Sequence, residues 1–509
     1  RFIQANQSNL AGNRLMADQS IKSKSVASPE PLDPLSLPLV GRHLIEASAG
    51  TGKTFSITRI YLRLLLENNV FLGRPLRVQE ILVVTFTKAA TEELRGRIER
   101  ELRVALHNWG ELAPPDAFFS QLKARAEADQ INPCGLLESA LLELDEAAVL
   151  TIHGFCRRVL SQESFASGLP MELAMEADTD ELLGTAAQDW FRRINQSEAD
   201  FNLLEHQGWQ TPEAFIANFA EVIRSEQAVC CGSTPTLQEQ NQGSGNDFPS
   251  RKSQLLAELL ASKARVRKDF IVKQEKYVEL RQTAWNAVLH WLGEDGQQPA
   301  TVEVRLIIAG TGRKTKAINE LFAPLKQLIE DLDYWYAAQS NRLVVAGIHW
   351  IRQRFKDLKT RKAVMDYGDL VTHLSQRLQA SEGSALANTL REQYPVALVD
   401  EFQDTDTQQY AIFDRIYPKA GSGHEAKSDR ASSEGRGLFM IGDPKQAIYG
   451  FRGGDIFAYL SARQQRDFGW HLTTNWRATS GVVAACNRIF WGNPDSEAAR
   501  DLFRYGIEY

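Results

Sequence analysis

The chain lacks an excess of positive charge. Across 509 residues, 58 lysines and arginines face 64 aspartates and glutamates, a formal net charge of −6. Whole-molecule attraction to a polyanion is therefore excluded, and any nucleic-acid contact has to come from a local basic groove. Cysteine is scarce and odd in number, with five in all at Cys134, Cys156, Cys230, Cys231 and Cys486. None has zinc-ligand spacing, and the count suits a reducing compartment better than a disulfide framework. No apolar run approaches the ~20 residues of a membrane span, and the polar N-terminus carries no secretory signal. A cytoplasmic location without membrane contact is the default expectation. Internal repeats are missing too. Hydrophobic residues make up 43% of the chain, enough for real cores. The length suits about three or four domains.

What is present is a phosphate-binding loop. Ala47-Ser48-Ala49-Gly50-Thr51-Gly52-Lys53-Thr54 follows the apolar pair Leu44-Ile45 and precedes a helical pattern from Phe55 to Leu66. Strand, loop and helix in that order are the context such a loop requires, although the usual first glycine is Ala47 here. The glycines let backbone N–H groups turn inward around phosphate oxygens. The positive end of the new helix points at the same anion. Lys53 would reach the β- and γ-phosphates of ATP, and the Thr54 hydroxyl would hold Mg²⁺. A chance Gly-Lys-Thr in a surface turn has no reason to carry these flanks.

Further apolar runs at Ile81–Phe86, Ala148–Ile152, Val396–Val399 and Leu438–Ile441 read as buried strands, each leading into a helix or into acidic or glycine chemistry. Strands alternating with helices, with special residues at the strands' C-terminal ends, predict an α/β fold with a parallel sheet. Between residues 163 and 350 helical spacing takes over. Leu255, Leu259, Val266, Phe270, Tyr277, Leu280, Ala284 and Val288 form one apolar stripe, opposite Lys263, Arg265, Arg267, Lys268 and Lys273. Such a charge run is usually a solvated helix face. The block reads as an all-helical domain inserted into the α/β domain. Gly232–Lys252 and Gly421–Gly437 read as low-complexity loops, and residues 1–34 as a disordered extension.

The acidic pair Asp400-Glu401 projects from the end of the Val396–Val399 strand. There Asp400 would hold Mg²⁺, and Glu401 would orient and deprotonate an attacking water. Gln446, in Gly442-Asp443-Pro444-Lys445-Gln446, follows the next strand and has the reach to sense a γ-phosphate. Tyr449, Phe451 and Arg452 stand among Gly450, Gly453 and Gly454, a composition suited to stacking unpaired bases and holding their phosphates. Arg477, in Asn475-Trp476-Arg477, follows the strand-like Trp470–Thr473 and suits an arginine finger. A small-molecule kinase would share the phosphate loop but leave this aromatic loop unexplained.

Seven segments together resemble superfamily 1 DNA helicases of the UvrD/Rep type, and within them the RecB-type subunits. They read LDPLSLPL, LIEASAGTGKTFSI, LVVTFTKAATEELRGRI, DEAAVLTIHGFCRRVL, ALVDEFQDTDTQQY, MIGDPKQAIYGFRGGDIFAYL and LTTNWRATSGVV. The resemblance implies a RecA-like P-loop NTPase sheet. Motor domain 1A would occupy residues 35–162 and 351–469, the helical domain 1B residues 163–350, and the start of a second RecA-like domain residues 470–509. It implies 3′-to-5′ ATP-driven movement on DNA in a RecBCD-type helicase–nuclease complex with RecC-like and RecD-like subunits. Lys53 and Thr54 would bind ATP and Mg²⁺, and Asp400 and Glu401 would form the metal and water-activating pair. Gln403 and Asp404 would link that pair to its neighbours, and Gln446 would couple the γ-phosphate to DNA. Arg477 would contact the γ-phosphate, and Tyr449 and Phe451 would stack on bases. Phe86, Thr87, Thr151, His153 and Phe155 would line the single-strand path. His153 has no nucleophile paired with it, which favours a contact role over a catalytic one. The short segment Met365–Leu370 reads as structural. No glutamine stands between residues 29 and 39 to read adenine, as stand-alone helicases have. The chain ends at Tyr509, just after Asn475-Trp476-Arg477, and reads as an N-terminal fragment without the family's nuclease domain. An AddA-type subunit, a stand-alone UvrD-like helicase and a non-hydrolysing DNA-binding scaffold stay open as alternatives.

Overall fold

The computed structural model describes residues 29–110, 116–162, 174–175, 179–225, 248–272, 275–294, 299–309, 316–381, 383–419, 436–448 and 454–490. These fall into two compact units, one from Arg1–Leu173 and Tyr367–Tyr509, the other from Ala174–Asp366. Among the described residues, no helix is long and apolar enough to cross a membrane.

The first unit is built on a seven-stranded sheet. Its strands are β1 (Glu30–Pro31), β2 (Gly41–Glu46), β3 (Ile81–Thr85), β4 (Val149–Thr151), β7 (Val396–Val399), β8 (Gly437–Gly442) and β9 (Phe468–His471), in the order β1-β9-β2-β8-β7-β3-β4. Every pairing is parallel. Helices cover the faces of such a sheet, so its central strands can be apolar throughout. Ile81 to Thr85 and Val396 to Val399 are buried at every position. The α/β class and parallel sheet expected from the strand pattern are present.

Strand order decides where chemistry can happen. β8 sits between β2 and β7, with Glu46 opposite Gly442 and Val399 opposite Met440. The Ala47 N–H continues the ladder to the Gly442 carbonyl at 3.0 Å. The phosphate loop after β2 and the acidic pair after β7 therefore emerge on one edge, the C-terminal edge where open α/β sheets bind ligands.

The middle of the sheet holds a buried histidine. His43 stacks on Phe439, Phe468 and Trp470 at 4.4, 4.8 and 6.2 Å across β8 and β9. Trp470 Nε1 donates to His43 Nδ1 at 3.0 Å, and His43 Nε2 donates to the Val40 carbonyl at 2.9 Å. Both ring nitrogens are satisfied by a neutral ring, and burial lowers its pKa to about 4.

Two sequence boundaries move. β1 pairs with β9 at Glu30 and Pro31, so the extension read as disordered through residue 34 has an ordered end that completes the sheet edge. β9 begins at Phe468 and pairs with β2, so residues 470–471, assigned by sequence to a second domain, belong to this sheet. The parallel pairing of a two-residue edge strand carries no periodic signal.

The second unit is helical around a 47-residue helix, Lys316–Lys362. Ile318, Phe322, Leu325, Leu328, Ile329 and Leu332 on its first half pack with Phe270, Trp285 and Val288. Val344, Ile348, Ile351 and Phe355 on its second half pack with Trp190, Phe191 and Phe215. The helix is continuous through residue 350, so the unit runs on to Asp366, where β6 (Val364–Met365) pairs with β5 (Ala174–Met175). The apolar stripe expected from Leu255 to Val288 is broken up, with Leu255 and Leu259 on helix Phe248–Ala261, Leu280, Ala284 and Val288 on helix Val278–Gly293, and Val266, Phe270 and Tyr277 on short helical turns between them. Leu280 is exposed, whereas Ala284 and Val288 on the same helix are buried. Helix Phe248–Ala261 also starts inside the segment read as a loop through Lys252.

Trp190 lies against the long helix at Gly347. A Cβ added there would come within 2.4 Å of Trp190 Cζ2. Gly347→Ala is therefore expected to destabilise the helical unit by about 1–3 kcal/mol despite alanine's better helix propensity. Thermal melting checks this, and an unchanged or higher melting temperature would show that Trp190 can move aside.

Candidate functional site

A cleft of about 420 Å³ opens at the C-terminal edge of the sheet. Its floor is the phosphate loop. Gly50 and Gly52 have φ of +80° and +96°, in the left-handed region where a side chain is strained. Gly52 directly precedes helix Lys53–Leu66, whose first three residues line the cleft. Thr51 folds back on the loop, its N–H and Oγ1 donating to the Ser48 carbonyl at 3.2 and 2.7 Å. Ala47, in place of the usual glycine, is buried in the strand ladder, where a methyl group is tolerated.

Lys53 and Thr54 line the cleft together with Asp400 and Glu401. Lys53 Nζ lies 2.6 Å from Glu401 Oε2. Glu401 has φ of +50°, a left-handed conformation that costs a non-glycine residue roughly 1–3 kcal/mol. Its N–H donates to Asp400 Oδ1 at 2.9 Å. Gln403 ties the site to the next strand tip. Its Nε2 donates to Glu401 Oε2 at 2.9 Å and Asp404 Oδ2 at 3.3 Å, and its Oε1 accepts from the Asp443 N–H at 3.0 Å.

The acids are crowded. Burial, and then the neighbouring Glu401, raises both Asp400 and Asp404 to about 6, although Lys53 pulls the other way. A cleft that leaves carboxylates short of positive charge, beside the Thr54 hydroxyl, suits a hard divalent cation.

A third wall comes from residues far along the chain. Asn475 Nδ2 donates to the Ala49 carbonyl at 3.0 Å, and the Trp476 N–H donates to the Gly50 carbonyl at 2.8 Å. A Cβ on Gly50 would lie 2.5 Å from Arg477 Cβ, so this close approach needs a glycine there. Arg477 and Trp476 thus line the same cleft as Lys53.

Sequence reading missed Phe55, Glu93, Arg97 and Trp476 as lining residues. Glu93 and Arg97 pair on helix Lys88–Gly110. Their i,i+4 spacing looks like any solvated helix face, so only the fold marks them. Phe55 and Trp476 are exposed by 53% and 79%, and that exposure is their signal.

Other expected site residues do not join the cleft. Gln446 turns away and donates to Asp443 Oδ2 at 2.7 Å. Thr87 Oγ1 accepts from Ala90 N–H at 3.1 Å and Thr151 Oγ1 from Gly154 N–H at 3.0 Å, so both close helix N-termini. Phe86 is half-buried. His153 is half-buried too, edge-on to Tyr367 at 5.6 Å, and burial lowers its pKa. Phe155 corrects the expectation of a residue lining a strand path. It is fully buried, stacked on Phe413 and edge-on to Tyr394, because its helix turns that face onto the core. Tyr449, Phe451 and Arg452 lie outside the described residues. No group of three or more metal-ligating His, Cys, Asp or Glu side chains occurs among the described residues.

Comparison with known proteins gives the family. Residues 29–467 match the UvrD/REP helicase N-terminal domain. The chain is 34% identical over 93% of its length to the RecBCD enzyme subunit RecB of Escherichia coli K12. It is 32% identical over 90% to that of Haemophilus influenzae, and 28% identical over 88% to that of Chlamydia muridarum. It spans 40, 40 and 42% of those relatives' own lengths. The helicase domain match covers residues 29–467, most of the chain, and the chain belongs to the UvrD/REP helicase family, through its N-terminal domain.

Proposed function

We propose that the chain is the ATP-hydrolysing motor of a DNA helicase, acting as the RecB-like subunit of a RecBCD-type complex. The observation that carries this reading is the meeting of Lys53, Glu401 and Arg477 in one cleft. A triphosphate entering the cleft offers Lys53 a stronger partner than Glu401, because phosphate oxygens concentrate negative charge at the loop's N–H groups. Lys53 then leaves Glu401, whose carboxylate is free to orient a water and take its proton. Arg477, carried by a segment bonded to the loop, stands ready to neutralise charge on the outer phosphate.

Thr54 and Asp400 would hold Mg²⁺, which would neutralise phosphate charge. Phe55 and Trp476 flank Gly52, each with an atom 3.9 Å from where a Cβ on that glycine would lie. We assign this exposed aromatic pair to the nucleobase, which accounts for base binding without an upstream glutamine. Gln403, through Asp443, links the acidic pair to the strand tip that leads to Gln446 and, further along the sequence, to Tyr449, Phe451 and Arg452. That continuity supports coupling of hydrolysis to a single strand held near Phe86, His153, Tyr449, Phe451 and Arg452. The similarity to RecB is the support for the further parts of this proposal, which are movement 3′ to 5′, a RecC-like and a RecD-like partner, and a role in double-strand break repair.

Two measurements test the reading. Lys53→Ala is expected to weaken Mg-ATP binding about 10- to 100-fold, the worth of a charge-assisted contact, and to remove DNA-stimulated hydrolysis while the fold is kept. Fluorescent-nucleotide titration beside a steady-state ATPase assay decides it, and equal affinity in variant and parent would exclude this cleft. The second concerns pH. The raised Asp400 value means that the folded chain holds a proton the unfolded chain has released, between the ordinary carboxylate value and about 6. The carboxylate therefore costs stability above about 6, and that cost disappears on acidification. Cation binding runs the other way, since a protonated carboxyl cannot hold Mg²⁺. Magnesium-dependent ATP affinity should fall as pH drops through about 6, and Asp400→Asn should flatten the profile. A parent profile already flat there would remove Asp400 from the metal site.

A further inference from the structure

Phe55 does not stand alone in the cleft wall. It is the first member of a layered stack whose second member is Arg59, one helical turn further on. Arg59 lies at i+4 from Phe55 on helix Lys53–Leu66, the spacing that places side chains one above the other. Its guanidinium carbon is 4.2 Å from the Phe55 ring centroid and 4.3 Å from that of Phe118. Arg59 is only 8% exposed. Its plane is fixed at the edges by an ion pair with Asp116 and by Glu101 at 4.0 Å from Nε. Asp116 is fixed in turn, because its Oδ1 accepts from the Phe118 N–H at 2.9 Å and caps helix Ala117–Ala128.

We propose that Arg59 is a positioning residue for nucleotide binding, clamping one face of Phe55 so that the other is held ready to stack on the base. This rests on the reading of the cleft as a nucleotide site. A half-exposed phenylalanine at the start of a helix has several rotamers, and a base that stacks on it has to order the ring first. A flat cation wedged between two aromatic rings removes that cost before the ligand arrives, because cation–π attraction favours one ring plane. Withdrawal of ring density towards the guanidinium also suits the outer face to an electron-rich purine. The gain belongs to the base alone, and the triphosphate, held by Lys53 and the loop, does not benefit from it.

That separation makes the test specific. Mg-ATP and magnesium with inorganic tripolyphosphate are titrated into the intact protein, and the ratio of the two affinities is compared between parent and variants. Partial unfolding lowers both affinities together and leaves the ratio unchanged. The parent should favour ATP. Arg59→Met should reduce that preference about 2- to 10-fold, the cost of ordering one side chain, with tripolyphosphate affinity unchanged. Arg59→Lys keeps the charge for Asp116 but has no plane to lay against the ring, so it should reduce the preference too. If Arg59→Lys restores the parent ratio, Arg59 acts only through its ion pairs and the proposal is overturned. A parent ratio kept in both variants overturns it as well. A parent that binds tripolyphosphate but shows no preference for ATP removes the base platform itself, and a parent that binds neither removes the nucleotide site.

Discussion

The ion pair between Lys53 and Glu401 is the contact on which the site depends. The two residues are 348 positions apart, and their charged atoms are 2.6 Å apart. Neither local helix propensity nor loop chemistry can produce that distance. It requires β2 and β7 to lie on either side of β8 with their C-terminal ends close together, and the register provides this, setting Glu46 opposite Gly442 and Val399 opposite Met440, two residues apart on β8. The pair also balances charge, offsetting one of the carboxylates crowded at the β7 tip. Removing either partner leaves a partly desolvated charge behind, which costs more than an exposed pair ever contributes.

Strain and aromatic exposure gather around the same point. Glu401 sits in a left-handed conformation, Gly50 and Gly52 take φ values that suit glycine, and Trp476 is four-fifths exposed. The left-handed Glu401 and the exposed Trp476 are unfavourable to a chain that only needs to fold. Together they leave one edge of an otherwise well-packed sheet open, charged and aromatic, and the Asn475–Arg477 segment is bonded to that edge through Ala49 and Gly50.

Much of this was legible before the fold was known, for identifiable reasons. The phosphate loop and the Asp400-Glu401 pair were readable because a buried parallel strand is a continuous apolar run, and the residues just after it must be polar and exposed. His43 was not readable, because an Arg-His pair inside a strand gives no sign that aromatic rings from β8 and β9 will enclose the imidazole. Phe155 misled because its segment carries a family likeness, while its burial depends on which side of a short helix meets Tyr394 and Phe413. Phe55 and Arg59 went unnoticed because i,i+4 spacing on a helix is commonplace. What distinguishes them is the arrival of Phe118 and Asp116 from another helix.

In the proposed mechanism Glu401 holds Lys53 only until a triphosphate takes it, and Glu401 is not itself a ligand of the nucleotide or its metal. Calorimetric titration of Mg-ATP into the parent and into Glu401→Gln tests this most directly. Release of Lys53 from its partner should leave the variant binding Mg-ATP at least as tightly as the parent. Binding weaker by about tenfold or more, equivalent to about 1.4 kcal/mol, would contradict the account and make Glu401 part of what holds the nucleotide.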